Sequence, residues 1–105
     1  MDYRIDITEP AERDMFEILT YITETLKEPL AAKRIYRTIR DEILSLSFMP
    51  LRYPVIPEQP YRKADVRKLV VENYIVFYLV SGDTVTVLRV LYNRREWHTL
   101  LNESL

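Results

Sequence analysis

The stretch that decides the fold runs from Val66 to Tyr92. It reads Leu69-Val70-Val71, then Tyr74-Ile75-Val76-Phe77-Tyr78-Leu79-Val80, then Thr84-Val85-Thr86-Val87-Leu88-Arg89-Val90-Leu91-Tyr92. β-Branched and aromatic residues dominate, and these fit a pleated, half-buried surface. Each run is too short for a good helix, and turn-forming residues separate them. Glu72-Asn73 turns the first run into the second. Ser81-Gly82-Asp83 turns the second into the third and contains the chain's one glycine, which tolerates positive φ. The reading is a three-stranded antiparallel meander. A basic, aromatic tail follows at once: Asn93-Arg94-Arg95-Glu96-Trp97-His98.

Working back from the meander, residues 50–65 carry Pro50, Pro54, Pro57 and Pro60. Prolines at that density forbid regular structure, so this is a stiff loop. Before it, Ala32, Ile35, Tyr36, Ile39, Ile43 and Leu46 form the apolar stripe of a helix that Pro29 opens and that ends near Ser47. Lys33, Arg37 and Arg40 lie along another of its faces. An earlier helix is marked by Ala11, Met15, Ile18, Leu19, Ile22 and Leu26. Thr8 caps it, Pro10 sits in its first turn, and Glu9 and Glu12 suit the positive end of its dipole. It stops near Lys27-Glu28, because Pro29 disfavours helical geometry at the residue before it. The short break predicts an antiparallel helical hairpin. Tyr3 to Thr8 alternates apolar and polar residues, a strand with one buried face. Arg94 to Leu101 reads as a short final helix, with Trp97, Leu100 and Leu101 on one face. The order is strand, helix, helix, three strands, short helix. The simplest architecture is one mixed sheet covered on one face by the hairpin. The first strand is placed beside the third strand of the meander.

At 105 residues the chain is expected to be one domain, spanning 1–105. With 48% hydrophobic and 30% charged residues, it has an ordinary globular composition. It contains no cysteine, so a disulfide framework, a thiolate metal site and a thiol nucleophile are excluded. No apolar run approaches the ~20 residues of a membrane span. Nothing like a signal peptide follows Met1-Asp2-Tyr3-Arg4, so a cytoplasmic location is expected. The net charge of −1 hides an asymmetry: residues 1–28 hold three basic and eight acidic residues, and the remainder holds twelve basic and eight acidic. That balance argues against a non-specific nucleic-acid binder, whose affinity comes from phosphate contacts.

Chemistry is equally bounded. There is no phosphate-cradling glycine loop and no Ser/His triad. His98, the one histidine, with scattered carboxylates does not make a metal site, and no cofactor is expected. The acidic residues of the first helix read as a solvated face. What remains is a basic and aromatic set: Arg62, Lys63, Arg67, Lys68, Arg89, Arg94, Arg95, Trp97 and His98, with Tyr92. Arginines grip phosphate bidentately, aromatics stack on bases, and histidine moves protons near neutrality. Together they would suit a metal-free ribonuclease. The competing reading makes Tyr74, Tyr78 and Trp97 core or edge aromatics and leaves Arg94, Arg95 and His98 as ordinary surface. Arg89 shares strand parity with Val85, Val87 and Leu91. Either that face is partly wet or Arg89 is paired to an acid.

Two motifs carry a resemblance: Arg67-x-Leu69-Val70-Val71-x-Asn73-Tyr74-x-Val76-Phe77-Tyr78, and Val87-Leu88-Arg89-Val90-Leu91-Tyr92-x-Arg94-Arg95-x-Trp97-x-x-Leu100-Leu101. This pattern resembles the C-terminal signature of the RelE/ParE superfamily, the toxins of bacterial type II toxin–antitoxin modules, which include plasmid stabilisation proteins. The resemblance covers the whole chain. It implies an α+β fold, a helical hairpin on a mostly antiparallel four-stranded sheet in the order β-α-α-β-β-β, with a short C-terminal helix. It also implies a cognate antitoxin, whose C-terminal segment wraps hairpin and sheet in a hetero-oligomer. RelE-like members cut mRNA on the ribosome. On that reading Arg67, Lys68, Arg95 and His98 are catalytic, and Arg62, Lys63, Arg89, Tyr92, Arg94 and Trp97 bind the target. ParE-like members inhibit DNA gyrase instead. The nuclease arginine that follows the aromatic opening the second meander strand falls here on Ile75, and the nuclease tail tyrosine falls on Leu101. Lys68 and Arg95 match basic positions. With two positions lost, the resemblance favours the gyrase-directed branch, with the ribosome-dependent endoribonuclease as the alternative and a non-toxic binding relative as a third.

Overall fold

The computed structural model describes residues 2–93 and 96–105. Strand β1 (Arg4–Ile7) leads into helix α1 (Glu9–Thr20), which widens into a π-helical turn, Tyr21–Thr25. Helix α2 (Pro29–Leu44) follows, then two 3₁₀ turns, Ser45–Ser47 and Pro50–Arg52. The meander is β2 (Arg67–Val71), β3 (Tyr74–Ser81) and β4 (Thr84–Tyr92), and α3 (Trp97–Asn102) closes the chain. The sheet order is β1-β4-β3-β2. β1 runs parallel to β4, the only parallel pair among the described residues, and the meander is antiparallel. The fold is the expected α+β arrangement, with β1 where the sequence placed it.

Local chemistry sets the boundaries. The Thr8 hydroxyl oxygen accepts the Ala11 N–H at 3.2 Å and donates to the Leu88 carbonyl at 2.9 Å, so one side chain both caps α1 and ties it to β4. At the far end the Leu26 N–H bonds to the Tyr21 carbonyl at 3.2 Å and the Glu28 N–H to the Ile22 carbonyl at 3.0 Å. Lys27 takes the left-handed conformation that closes a helix, with φ 58°. Glycine suits this position better, so Lys27→Gly is expected to raise stability by about 0.5–1 kcal/mol, read from the urea midpoint. The wide turn also displaces Leu26 from the predicted stripe, and it stands 52% exposed. Tyr36, likewise assigned to the α2 stripe, is exposed.

The hairpin covers one face of the sheet. Ala11, Met15, Ile39, Ile43 and Leu46 pack there against Leu69, Val71, Val76, Val85, Val87 and Val90. Tyr3, Ile5 and Ile7, the predicted inner residues of β1, join them. Burying each of Ile39, Ile43 and Leu46, none more than 1% exposed, contributes roughly 1.5–3 kcal/mol. The opposite face departs from expectation. It is covered too, by Ile56, Tyr61 and Val66 of the proline-rich loop and by Leu101 of α3, over Ile75, Phe77, Leu88 and Leu91. A sheet buried on both faces explains why β3 reads as a nearly continuous apolar run instead of an alternating one.

The loop itself is pinned by the sheet edge. Val55 bridges Arg67, the Ile56 N–H reaches the Val66 carbonyl at 2.9 Å, and the Lys68 N–H reaches the Pro54 carbonyl at 3.2 Å. Tyr78 is fully buried and its hydroxyl donates to the Pro50 carbonyl at 2.5 Å. Burial pushes the Tyr78 phenol up to about 12, against the smaller opposing pull of Arg67 and Arg52. An acid whose folded pKa lies above its unfolded value near 10 favours folding while neutral. That contribution is whole below pH ~10 and is lost as pH rises from there toward 12. Tyr78→Phe is therefore expected to cost about 1 kcal/mol at pH 7 and to flatten the alkaline fall in the denaturation midpoint between pH ~10 and ~12.

A candidate basic margin and an acidic, aromatic groove

The structure separates the predicted basic and aromatic set into three groups. Arg67 and Arg89 are engaged in holding the fold. The Arg67 guanidinium donates to the Leu51 carbonyl at 3.1 Å and the Tyr53 carbonyl at 2.6 Å. It clamps the loop to β2. Arg89 bonds bidentately to Asp14 on α1, at 2.6 and 2.8 Å, and donates to the Leu100 carbonyl on α3 at 3.0 Å. Its side chain is 12% exposed, so it presents no guanidinium to a target, contrary to expectation. The bond to Asp14, aided by the nearby Glu103 and Glu17 carboxylates and opposed by burial, raises the Arg89 pKa further above its already high value.

Of the two alternatives that strand parity left for Arg89, pairing to an acid is the one found, although the parity itself breaks before Arg89. Pairing runs Tyr78↔Val87 and then Phe77↔Arg89, so Leu88 is an extra residue, a β-bulge. Val85 and Val87 point to the hairpin, whereas Leu88 and Leu91 point to the second core. Arg89 stands across from Phe77, just past the point where β1 stops pairing with β4. Asp14 takes up the vacated edge: its carboxylate also accepts the Val90 N–H at 3.0 Å. Asp14 is 6% exposed, so the first helix's acidic face is not wholly solvated.

The second group lies around α3. Trp97 packs 4.9 Å from Phe77 and 5.9 Å from Tyr61 between ring centroids, and His98 stacks on it at 3.7 Å. The Tyr61 hydroxyl donates to the His98 carbonyl at 3.1 Å. Burial, reinforced by Glu58, raises the Tyr61 pKa. Trp97 is thus half-buried cover for the second core, with His98 exposed on top. Arg62 and Lys63, exposed, follow Tyr61 in the loop, and Lys68, half-buried, stands across from Phe77 on β2. These three cations form a basic margin to the Trp97–His98 stack. Arg94 and Arg95 lie outside the described residues.

Tyr92 belongs to a third place. Its ring lies 5.6 Å from Tyr74, and both line a groove of about 590 Å³ between the connected end of the hairpin and the end of the sheet. The first helix and wide turn contribute Ile18, Tyr21, Ile22 and Leu26 to its lining, the second helix Ala31 and Ile35, and the sheet Val90 and Leu91. Asp14, Glu17, Glu28 and Glu72 are its charged members. Burial, with Tyr92, Tyr21 and Glu72 nearby, raises the Tyr74 pKa. Tyr21 and Glu28 drew no functional weight in the sequence because their juxtaposition depends on the wide turn and the chain reversal. The signal that was present is the excess of acid in residues 1–28. Among the described residues no cluster of His, Asp or Glu could hold a metal, and no helix is long and apolar enough to cross a membrane.

This arrangement, a helical hairpin on a β1-β4-β3-β2 sheet with α3 over the other face, is the fold of the RelE/ParE toxins. The family described as the ParE toxin of the type II toxin–antitoxin system parDE matches residues 5–97, and the chain belongs to it. Among solved structures it is similar to one described as the chromosomal ParDE toxin–antitoxin system from P. aeruginosa. That match has TM-score 0.71 and 20% identity over 86% of this chain and 95% of that one. It is similar also to the RelBE2 toxin–antitoxin complex from Mycobacterium tuberculosis, with TM-score 0.66 and 21% identity over 88% and 92%. A mutant of the E. coli toxin RelE in its free state gives TM-score 0.65 and 15% identity over 99% and 94%. None of the curated proteins matches the sequence.

Proposed function

We propose that this type II toxin acts by binding a protein target, DNA gyrase, and is neutralised by a cognate antitoxin, instead of cutting RNA. One observation carries the reading: two of the positions that a RelE-like nuclease would need are built into the protein's interior. Ile75, where the nuclease arginine would fall, is 5% exposed, and Leu101, where its tail tyrosine would fall, is 0% exposed. Both are members of the second core. Arg67, the first of the catalytic candidates, has its guanidinium on two loop carbonyls. Proton transfer and phosphate stabilisation need groups aimed at a reacting atom. Of the other candidates, Lys68 is half-buried on β2, His98 is exposed on α3, and Arg95 lies outside the described residues. The basic margin, with Arg62 and Lys63 exposed and Lys68 half-buried, suits an acidic patch on a folded partner.

The test is inducible expression of the chain alone. The expected result is growth arrest with DNA damage and filamentous cells while bulk mRNA stays intact, and inhibition of supercoiling by purified gyrase. Rapid cleavage of transcripts on ribosomes would overturn the reading in favour of the nuclease. Harmless accumulation of folded protein would overturn toxicity itself.

A further inference from the structure

The outer face of the helical hairpin divides by charge. Helix α1 packs Ala11, Met15 and Ile18 against the sheet, and α2 packs Ile35, Ile39 and Ile43 on the same side. At about 100° per residue, Glu12, Phe16 and Glu24 then stand on the solvent side of the first helix and its wide turn. Lys33, Arg37 and Leu44 stand on the solvent side of the second, and all six are exposed. The acidic beginning of the sequence and its basic continuation thus become two adjacent stripes in one layer. Two contrary charges are neutralised within their own helices: Arg13 by Glu9 at 3.4 Å and Asp41 by Arg40 at 3.6 Å. Among the described residues, Glu12, Glu24, Lys33 and Arg37 take part in no ion pair. Apolar side chains are interleaved with them, Phe16 at 65%, Leu30 at 81% and Leu44 at 51% exposure.

We propose that this face is the contact between two copies of the chain, related by a two-fold axis parallel to the helices, so that α1 of each copy lies on α2 of the other. Dimerisation on this face stands apart from the reading of the chain's target. The axis leaves the overlaid helices antiparallel and completes a four-helix arrangement. The contact is isologous, so each attraction occurs twice: Glu24 approaches Lys33 of the second copy, and Glu12 approaches Arg37. Phe16, Leu30 and Leu44 leave water in the same step. A two-fold axis across the helices would set acid on acid and base on base, and like charges across an interface are costly. The acidic stripe also repels the phosphates of nucleic acids and of anionic lipid surfaces, which disfavours both as occupants of the basic stripe beside it. Helix α2, with 16 residues, is about 24 Å long, and two helices packed ~8–10 Å apart present a face about 20 Å wide. Two such faces in contact bury on the order of 1,000 Å² in total, the lower bound for a specific interface. A weak, reversible dimer follows, with Kd on the order of 10 µM. Trp97 and Leu101 cover the other face of the sheet, so the dimer leaves that face open.

Sedimentation equilibrium of the intact chain between about 1 µM and about 200 µM brackets that affinity. The average mass is expected to rise from one chain toward two and to fall back as salt is raised, because salt screens charge pairs open to solvent. Glu12→Lys/Glu24→Lys and Lys33→Glu/Arg37→Glu should each remain monomeric, a loss of about 100-fold or more in affinity. Mixed in equal amounts, these two variants should pair with each other, since acid again meets base at both contacts. All four substitutions in one chain should restore the homodimer. Phe16→Ala should weaken it about tenfold through lost apolar burial. The substituted positions are exposed and lie outside both cores, and circular dichroism confirms that each variant is folded. A chain that stays monomeric throughout overturns the proposal. So does a dimer that survives either charge variant alone, which uses another surface, and so does failure of the mixed variants to pair. If one double variant does not fold, the fourfold variant and Phe16→Ala decide on the same terms.

Discussion

Replacing Asp14 with alanine is expected to destabilise the protein by about 3–5 kcal/mol, the cost of removing one partner from a buried ion pair. Asp14 and Arg89 are 7% and 12% exposed at their side chains, so water cannot take over for the missing carboxylate. The loss is compound. The Arg89 guanidinium would keep only the Leu100 carbonyl, and the Val90 N–H would lose its acceptor at the place where β1 no longer covers β4. The measurement is the urea midpoint at unchanged slope. Asp14→Leu combined with Arg89→Met should recover much of the loss, because replacing both charges removes the desolvation cost along with the attraction. A single-variant loss below ~1 kcal/mol would show that the pair is solvated and that the edge of β4 is held by something else.

The second large effect concerns function. Arg62→Glu, Lys63→Glu and Lys68→Glu, introduced together, are expected to abolish growth arrest. Juxtaposing like charges across an interface costs several kcal/mol, on the order of a 100-fold or greater loss of affinity for the target. The fold should survive, since Arg62 and Lys63 are exposed, Lys68 is half-buried and none of the three is in an ion pair among the described residues. The readout is inhibition of supercoiling by the purified triple variant, with its denaturation midpoint measured alongside. Unchanged inhibition would remove the basic margin from the target-binding surface.

Most of the architecture is legible in local pattern. The alternation of Tyr3, Ile5 and Ile7, the stripe from Ala32 to Leu46, and the turns at Glu72-Asn73 and Gly82-Asp83 depend on neighbours a few residues away. Strand β1 lands beside β4 as expected. What escaped depends on contacts between distant residues. The Leu88 bulge resets the parity of β4, and nothing in a single strand's composition announces an extra residue. Asp14 looks like one more acid on a solvated helix face until the end of β1 exposes the edge it fills. The second core forms because a proline-rich loop, irregular by any local rule, folds Ile56, Tyr61 and Val66 under the sheet. The site set divides along the same line. Arg89 draws separate weight from its strand parity and Arg67 is assigned to catalysis, but the partners they are found with are a helix and a loop far away in sequence. The groove is invisible in the sequence because three stretches that line it meet only after two chain reversals.

Trp97 is the one tryptophan in the chain, and it sits over Phe77 on the face away from the hairpin. Indole emission is therefore a private reporter of the C-terminal helix. It registers the release of that helix from Phe77 with no second indole to mask the change.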